Sequence, residues 1–311
     1  MSVAVLFPGQ GSQHVGMGAE LFDSRPDLLG GAADEILGWS LRDLCLDGPE
    51  ERLTRTEYAQ PALFAVSYAL WEELRSVWDG EVAAGAGHSL GEYTALCAAG
   101  VIDFPTALGV VAKRGQAMAE AADLEPSGMA ALIGADPERA HEIASTRRSE
   151  GGRLEVANIN APGQVVVAGA AEDIEWLSEH AREIGVRRAI PLKVAGAFHS
   201  SFMEPAAQEV ARALQQVEFA EGIFPVWSNT TARPHRGTDL AATLAGQVVS
   251  PVRFQESLED MAASGVDTFI HVGPGDVTAG MARRTVPEAT VHVVSESEDI
   301  PGAADALVSV T

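Results

Sequence analysis

Between residues 82 and 99 a short run of small apolar residues, Val82 to Ala86, leads straight into Gly87-His88-Ser89-Leu90-Gly91. Tyr93 to Ala99 then reads as a helix stopped by Gly100. A chain that passes from a buried strand into a helix through so tight a turn needs glycine on both sides, because a Cβ would hold the two elements apart. Strand, turn and helix in that order point to a layered α/β fold. The G-x-S-x-G spacing inside the turn pushes one hydroxyl outward from a strained backbone, so Ser89 is a candidate nucleophile.

The rest of the chain alternates in the same way. Val3 to Phe7 predicts a first buried strand, followed by the turn Gly9-Gln10-Gly11. Leu63, Val66, Leu70, Leu74 and Val77 recur at helical spacing and predict an amphipathic helix over Ala59 to Val77. From about Ser127 the pattern predicts a strand at Met129 to Ile133, a helix at Pro137 to Arg148 and strands at Leu154 to Ile159 and Gln164 to Ala168. A helix at Ala171 to Ile184 and a strand at Val186 to Leu192 complete it. This βαββαβ order predicts a ferredoxin-like subdomain over residues 127–196, inserted into a larger domain made of 1–126 and 197–311. The larger part resumes with helices at Glu204 to Gln215 and Phe254 to Ser264, and with strands at Phe224 to Ser228, Thr268 to Val272 and Val291 to Val294. A weakly ordered tail is expected after Ser295.

Composition narrows the function classes. With 46% hydrophobic and 21% charged residues in 311, the chain has enough apolar surface for a sizeable core, which excludes disorder for most of it. Acidic residues outnumber basic ones 44 to 21, a formal charge of -23 that repels nucleic-acid phosphates and anionic lipid. Neither nucleic acid nor a membrane is an expected partner. Lys113 and Lys193 are the only lysines, so a carboxylate or phosphate site falls to the planar arginine fork. Cys45 and Cys97 lack a CxxC spacing and read as reduced core residues rather than a disulfide or a metal site. With no basic leader before Val3 and no run of 18 apolar residues, the expected compartment is the cytoplasm.

A serine nucleophile needs a positioned base and a site for the anion it creates. Among the eight histidines, His199 has the most suggestive neighbourhood, Gly196-Ala197-Phe198-His199-Ser200, where the insert returns to the main domain. His88 is adjacent to Ser89 but on an extended strand end would point away from it. His14, His141, His180, His235, His271 and His292 receive no role. From the residues alone, His199 as an ordinary core histidine and Arg114 as a solvated helix residue beside Lys113 stay open readings.

Several segments in order carry a resemblance: Phe7 to Gln13, Gly87 to Tyr93, Arg114 after a helical run, Asn158 to Gln164, Gly196 to Ser200, and Val272-Gly273-Pro274-Gly275. Over Val3 to Val294 the chain resembles the malonyl-CoA:acyl carrier protein transacylases, the acyltransferases of fatty acid and polyketide synthesis. That resemblance implies an α/β-hydrolase-like large domain with the ferredoxin-like insert, and an active site in the cleft between them. It implies Ser89 as nucleophile and His199 as its base, with a main-chain carbonyl near Gln247 orienting the imidazole in place of an Asp carboxylate. The amides of Gln10 and Leu90 would form the oxyanion hole.

By the same resemblance, Arg114 takes the carboxylate of a malonyl group through two parallel hydrogen bonds, and Phe198 fills the space an α-methyl group needs. His88, Asn158 and Asn160, with Gln164, are expected on the substrate side of the cleft, with a turn-forming structural role an equal alternative for Asn158, Asn160 and Gln164. Arg187 and Arg188, with Lys193 nearby, are either a solvated strand edge or, by the resemblance, the residues that meet the phosphates of coenzyme A and then the acidic face of acyl carrier protein. Arg283-Arg284 is a second basic candidate, and Asp276 stands where relatives often carry a basic residue. The implied partners are malonyl-CoA and acyl carrier protein, the implied state is a monomer, and the exchange needs no metal or organic cofactor. A serine hydrolase would share the elbow, base and oxyanion hole. Arg114 separates the two, because a neutral acyl chain leaves a buried guanidinium unpaired.

Overall fold

The computed structural model describes residues 2–235 and 239–308. Its named strands are β1 (Val3–Phe7), β2 (Val82–Gly87), β3 (Ser127–Ile133), β4 (Leu154–Ala161), β5 (Gln164–Ala170), β6 (Arg188–Pro191), β7 (Thr268–Val272) and β8 (Thr290–Val294). They form two four-stranded sheets, one parallel in the order β2-β1-β7-β8 and one antiparallel in the order β4-β5-β3-β6. The fold is therefore mixed α/β. β1 is buried at every residue, as is β7, which explains their unbroken apolar runs: both faces of a parallel sheet are covered.

Helix Thr56–Val77 buries Leu63, Val66, Leu70 and Leu74 against the main core, as their spacing predicts. Val77, the last of the series, lies beyond the sheet and is 60% exposed. Helix Phe104–Ala122 packs along it and starts where Asp103 accepts a hydrogen bond from the amide of Thr106. Arg114 lies on the buried side of this second helix.

The antiparallel sheet separates its faces. Leu132, Val156 and Val167 pack with Ile143 and Leu177 of helices Pro137–Ser149 and Ala171–His180, while Met129, Ala157 and Val166 join the main core. Alternation along β3, β4 and β5 thus seats this sheet on the larger part of the molecule. Backbone hydrogen bonds between Ile159 and Val252 and between Val252 and Ala157 fix it there.

Four expectations change, the first being the helix expected over Ala171 to Ile184, which ends at His180. Phe224 to Ser228 is reduced to isolated bridges, Gly85 with Val226 and Trp227 with Pro234, because Pro225 has no N–H to extend a ladder. The residues after Ser295 are ordered through Val308: helix Ile300–Val308 buries Ile300, Ala303, Ala304 and Leu307, an i, i+3, i+4, i+7 stripe. The stretch at Val186 to Leu192 forms a strand only over Arg188–Pro191. Cys45 and Cys97 are buried and unpaired. No helix among the described residues is long and apolar enough to cross a membrane.

Candidate active site

Ser89 sits between β2 and helix Gly91–Ala98 with φ 53°, the left-handed region that side-chain-bearing residues avoid. The flanking glycines are sterically required. A Cβ on Gly87 would lie 1.9 Å from the Gly91 carbonyl group, and one on Gly91 would lie 2.5 Å from the Phe7 oxygen. Side chains from distant segments hold the strained turn. Asn229 Oδ1 accepts from the Ser89 amide at 2.7 Å, Asn229 Nδ2 donates to the Gly87 carbonyl at 2.8 Å, and Gln247 Nε2 donates to the Ser89 carbonyl at 2.8 Å.

His199 approaches from the other side, itself left-handed at φ 59° and buried. Its Nε2 is 2.8 Å from Ser89 Oγ and its Nδ1 is 2.9 Å from the main-chain oxygen of Gln247. A carbonyl only accepts, so Nδ1 carries the proton and Nε2 offers its lone pair to the serine hydroxyl. Burial, and then the positive charge of Arg114, lower the His199 pKa to about 3. The imidazole is therefore neutral, and able to take a proton, across the ordinary pH range.

Arg114 is completely buried. Its Nη1 donates to Gln60 Oε1 at 2.6 Å, and its Nη2 donates to Gln247 Oε1 at 2.8 Å and to Ser89 Oγ at 3.0 Å. The guanidinium carbon lies 5.6 Å from the Tyr93 ring centroid, and Nε has no hydrogen-bond partner. Among the described residues no carboxylate is within 4.0 Å of it. A buried cation with only neutral oxygens around it lowers its own pKa through burial and favours an incoming anion.

A cavity of about 280 Å³ opens beside Ser89 and His199. Gln10, Ser89 and Leu90 form its floor, Met129, Asn158, Asn160 and Val166 one wall, and Phe198, His199 and Lys193 another. The Ser89 amide is engaged by Asn229, whereas among the described residues the amides of Gln10 and Leu90 donate to no turn or loop oxygen. His88 turns away from the hydroxyl and its Nε2 meets Asn160 Oδ1 at 2.7 Å, tying the elbow to β4. Burial lowers its pKa, so it is neutral, and Nε2 donates to the amide oxygen.

Asn158 and Asn160 lie on β4 rather than in the turn that follows. Arg187 and Arg188 are exposed at and beside the edge strand β6 and stand apart from the cavity wall, which Lys193 reaches. Arg283 and Arg284 are exposed at the end of helix Val277–Thr285, whose Val277 and Met281 line the cavity. Sequence reasoning missed Gln60, Glu92, Asn229 and His235. Of these only Glu92 had a local signal, a single charge at the head of an otherwise apolar helix.

An acyl transferase domain matches residues 5–304. The chain is 41% identical over 303 residues to the malonyl CoA-acyl carrier protein transacylase of Bacillus subtilis, covering 96% of this chain and 95% of that one. It is 40% identical over 285 residues to the polyketide biosynthesis malonyl CoA-acyl carrier protein transacylase BaeC of Bacillus velezensis, covering 91% and 96%. Among solved structures, an acyl carrier protein S-malonyltransferase from Vibrio cholerae superposes with a TM-score of 0.92 at 37% identity over 97% of this chain and all of that one. A malonyl-transacylase in complex with its type II polyketide acyl carrier protein superposes with a TM-score of 0.93 at 35% identity, covering 98% and 100%.

Proposed function

The chain belongs to the acyl transferase family, and from that premise we infer that it moves malonyl groups from malonyl-CoA to the phosphopantetheine thiol of acyl carrier protein, the loading step of fatty acid and polyketide assembly. The observation that carries the reading is the meeting of Ser89, His199 and Arg114 at one point, the last buried without a carboxylate partner.

In the first half-reaction Ser89 Oγ attacks the thioester carbonyl while His199 Nε2 takes its proton. The Gln10 and Leu90 amides receive the tetrahedral anion, and the Gln247 carbonyl steadies the imidazolium through Nδ1. Coenzyme A leaves as the thiol, protonated by His199. In the second half-reaction the carrier thiol gives its proton to His199 and attacks the malonyl ester, restoring the Ser89 hydroxyl. Arg114 pairs with the malonyl carboxylate, supplying the anion that its buried guanidinium otherwise lacks. No metal or organic cofactor enters either step.

The parallel-sheet part, residues 1–126 and 197–311, is read as an α/β-hydrolase-like domain, and residues 127–196 as a ferredoxin-like subdomain. The second assignment is supported by a βαββαβ element order in which the strands lie side by side as second, third, first and fourth. Arg187 and Arg188, with Lys193 at the cavity mouth, are suited to the phosphates of coenzyme A and to an acidic carrier; Arg283 and Arg284 flank the opposite side. The protein is read as a cytoplasmic monomer. Intact-mass measurement tests the function: malonyl-CoA should leave a malonyl adduct that Ser89→Ala abolishes and that carrier protein removes far faster than water. Rapid loss to water alone would make the protein a hydrolase.

A further inference from the structure

Glu92 follows the nucleophile by one helical turn and is completely buried. Its Oε2 accepts from Gln247 Nε2 at 2.6 Å and from the Asn229 amide at 3.1 Å, and its Oε1 accepts from His235 Nε2 at 2.6 Å. Among the described residues no Lys or Arg nitrogen lies within 4.0 Å of it. A buried carboxylate is costly, by several kcal/mol on the order of its desolvation, unless donors converge on it. Here three do, and two of them belong to residues that also grip Ser89.

The amide of Gln247 has two ends that are not interchangeable. Its Nε2 faces two acceptors, Glu92 Oε2 and the Ser89 carbonyl, and its Oε1 faces the donor Arg114 Nη2. Reversed, the NH₂ group would meet the guanidinium and the oxygen would meet two oxygens. An acceptor at Glu92 therefore decides which end of Gln247 points at Arg114. The same acceptor holds the Asn229 backbone, whose side chain pins both the Ser89 amide and the Gly87 carbonyl.

We propose that Glu92 is a positioning residue for acyl-group selection: by orienting Gln247 and Asn229 it aims Arg114 and the Ser89 turn at a dicarboxylic acyl group. The proposal rests on the transferase reading above. It depends on acceptor reach rather than on negative charge, which gives two conservative variants opposite outcomes. In Glu92→Gln the side-chain oxygen keeps its contact with Gln247 and Asn229, and the NH₂ meets His235 Nε2 in the ring's other tautomer. In Glu92→Asp the charge stays but the carboxylate retracts by one methylene.

The test is the rate of Ser89 acylation from malonyl-CoA and from acetyl-CoA in wild type, Glu92→Gln and Glu92→Asp, per folded molecule as measured by circular dichroism. The malonyl-to-acetyl ratio of Glu92→Gln should stay within about threefold of wild type and that of Glu92→Asp should fall by about tenfold or more, the scale of misplacing a hydrogen bond to a charged group. An unchanged ratio in Glu92→Asp, including equal losses with both esters, would overturn the proposal, and so would an equal fall in both variants. Wild type failing to form a malonyl adduct would instead overturn the transferase reading.

Discussion

Arg114 Nη2 donates to Ser89 Oγ at 3.0 Å, so the cation assigned to the substrate touches the nucleophile before any substrate arrives. Ser89 Oγ thus accepts from a guanidinium while donating to His199 Nε2 at 2.8 Å. An acyl group esterified to Ser89 therefore begins beside the guanidinium. On the proposed reading, Arg114 serves every acyl group to some degree and a malonyl group to a greater one.

Arg114→Ala is therefore expected to slow Ser89 acylation from both malonyl-CoA and acetyl-CoA, with the malonyl rate falling by about 100-fold more, as for loss of a buried charge-assisted pair. Initial acylation rates with the two esters measure this. Equal losses would leave Arg114 with the nucleophile alone and remove it from selection.

The pH profile follows from the base. With His199 lowered to about 3, the acid limb of kcat/KM lies well below the usual histidine value of 6.5. Arg114 is one cause of that lowering, so removing its positive charge makes the imidazolium easier to form. Arg114→Ala, assayed with acetyl-CoA, should shift the acid limb upward in pH. A limb at 6.5 in wild type, or one that moves down in the variant, would contradict this arrangement.

What could be read from the sequence was what repeats at short range. The elbow is a local device, and Gly87, Ser89 and Gly91 declare it in five residues; the stripe of helix Thr56–Val77 and the short apolar runs of β4 and β5 are equally local. His199 stood out by its neighbourhood, and the resemblance gave roles to it, to Arg114 and to the Gln247 carbonyl; the structure brings His199 and Arg114 to Ser89 and the Gln247 carbonyl to His199. The hidden part is the clamp under the turn. Asn229 lies 140 residues from Ser89 and His235 lies 143 from Glu92, so no spacing announces them. Glu92 went unread because its burial among three donors is a tertiary fact. The C-terminal helix was missed although its stripe was there to read: Ile300, Ala303, Ala304 and Leu307 are spaced for one face, and the expectation of a weakly ordered tail overlooked them.

Phe198 is buried beside His199 and lines the cavity. A methyl group on the α-carbon of the acyl chain competes with that ring for space, and one methyl in an apolar pocket is worth about 1–3 kcal/mol. Phe198→Ala should raise acylation from methylmalonyl-CoA relative to malonyl-CoA by about tenfold. Competition between the two esters, read by adduct mass on Ser89, checks it. An unchanged ratio would place the selecting surface elsewhere.

The acid stability of the fold carries the last expectation. His271 is buried, its Nε2 donating to the Gly273 carbonyl at 2.9 Å and its Nδ1 receiving the Thr278 hydroxyl. Burial lowers its pKa to about 4, and His199 stands at about 3. Both native pKa values lie below the 6.5 of an exposed histidine, so between those limits the unfolded chain holds protons that the native one does not. Stability is then complete above pH 6.5 and declines as pH falls, by ~1.4 kcal/mol per pH unit for each such histidine, until the native pKa is passed. His271→Asn removes one of them without adding a titrating group. Urea unfolding at a series of pH values between 6.5 and 4 should give the variant a slope shallower by ~1.4 kcal/mol per pH unit. The same slope in both proteins would mean that His271 titrates alike in the native and unfolded states.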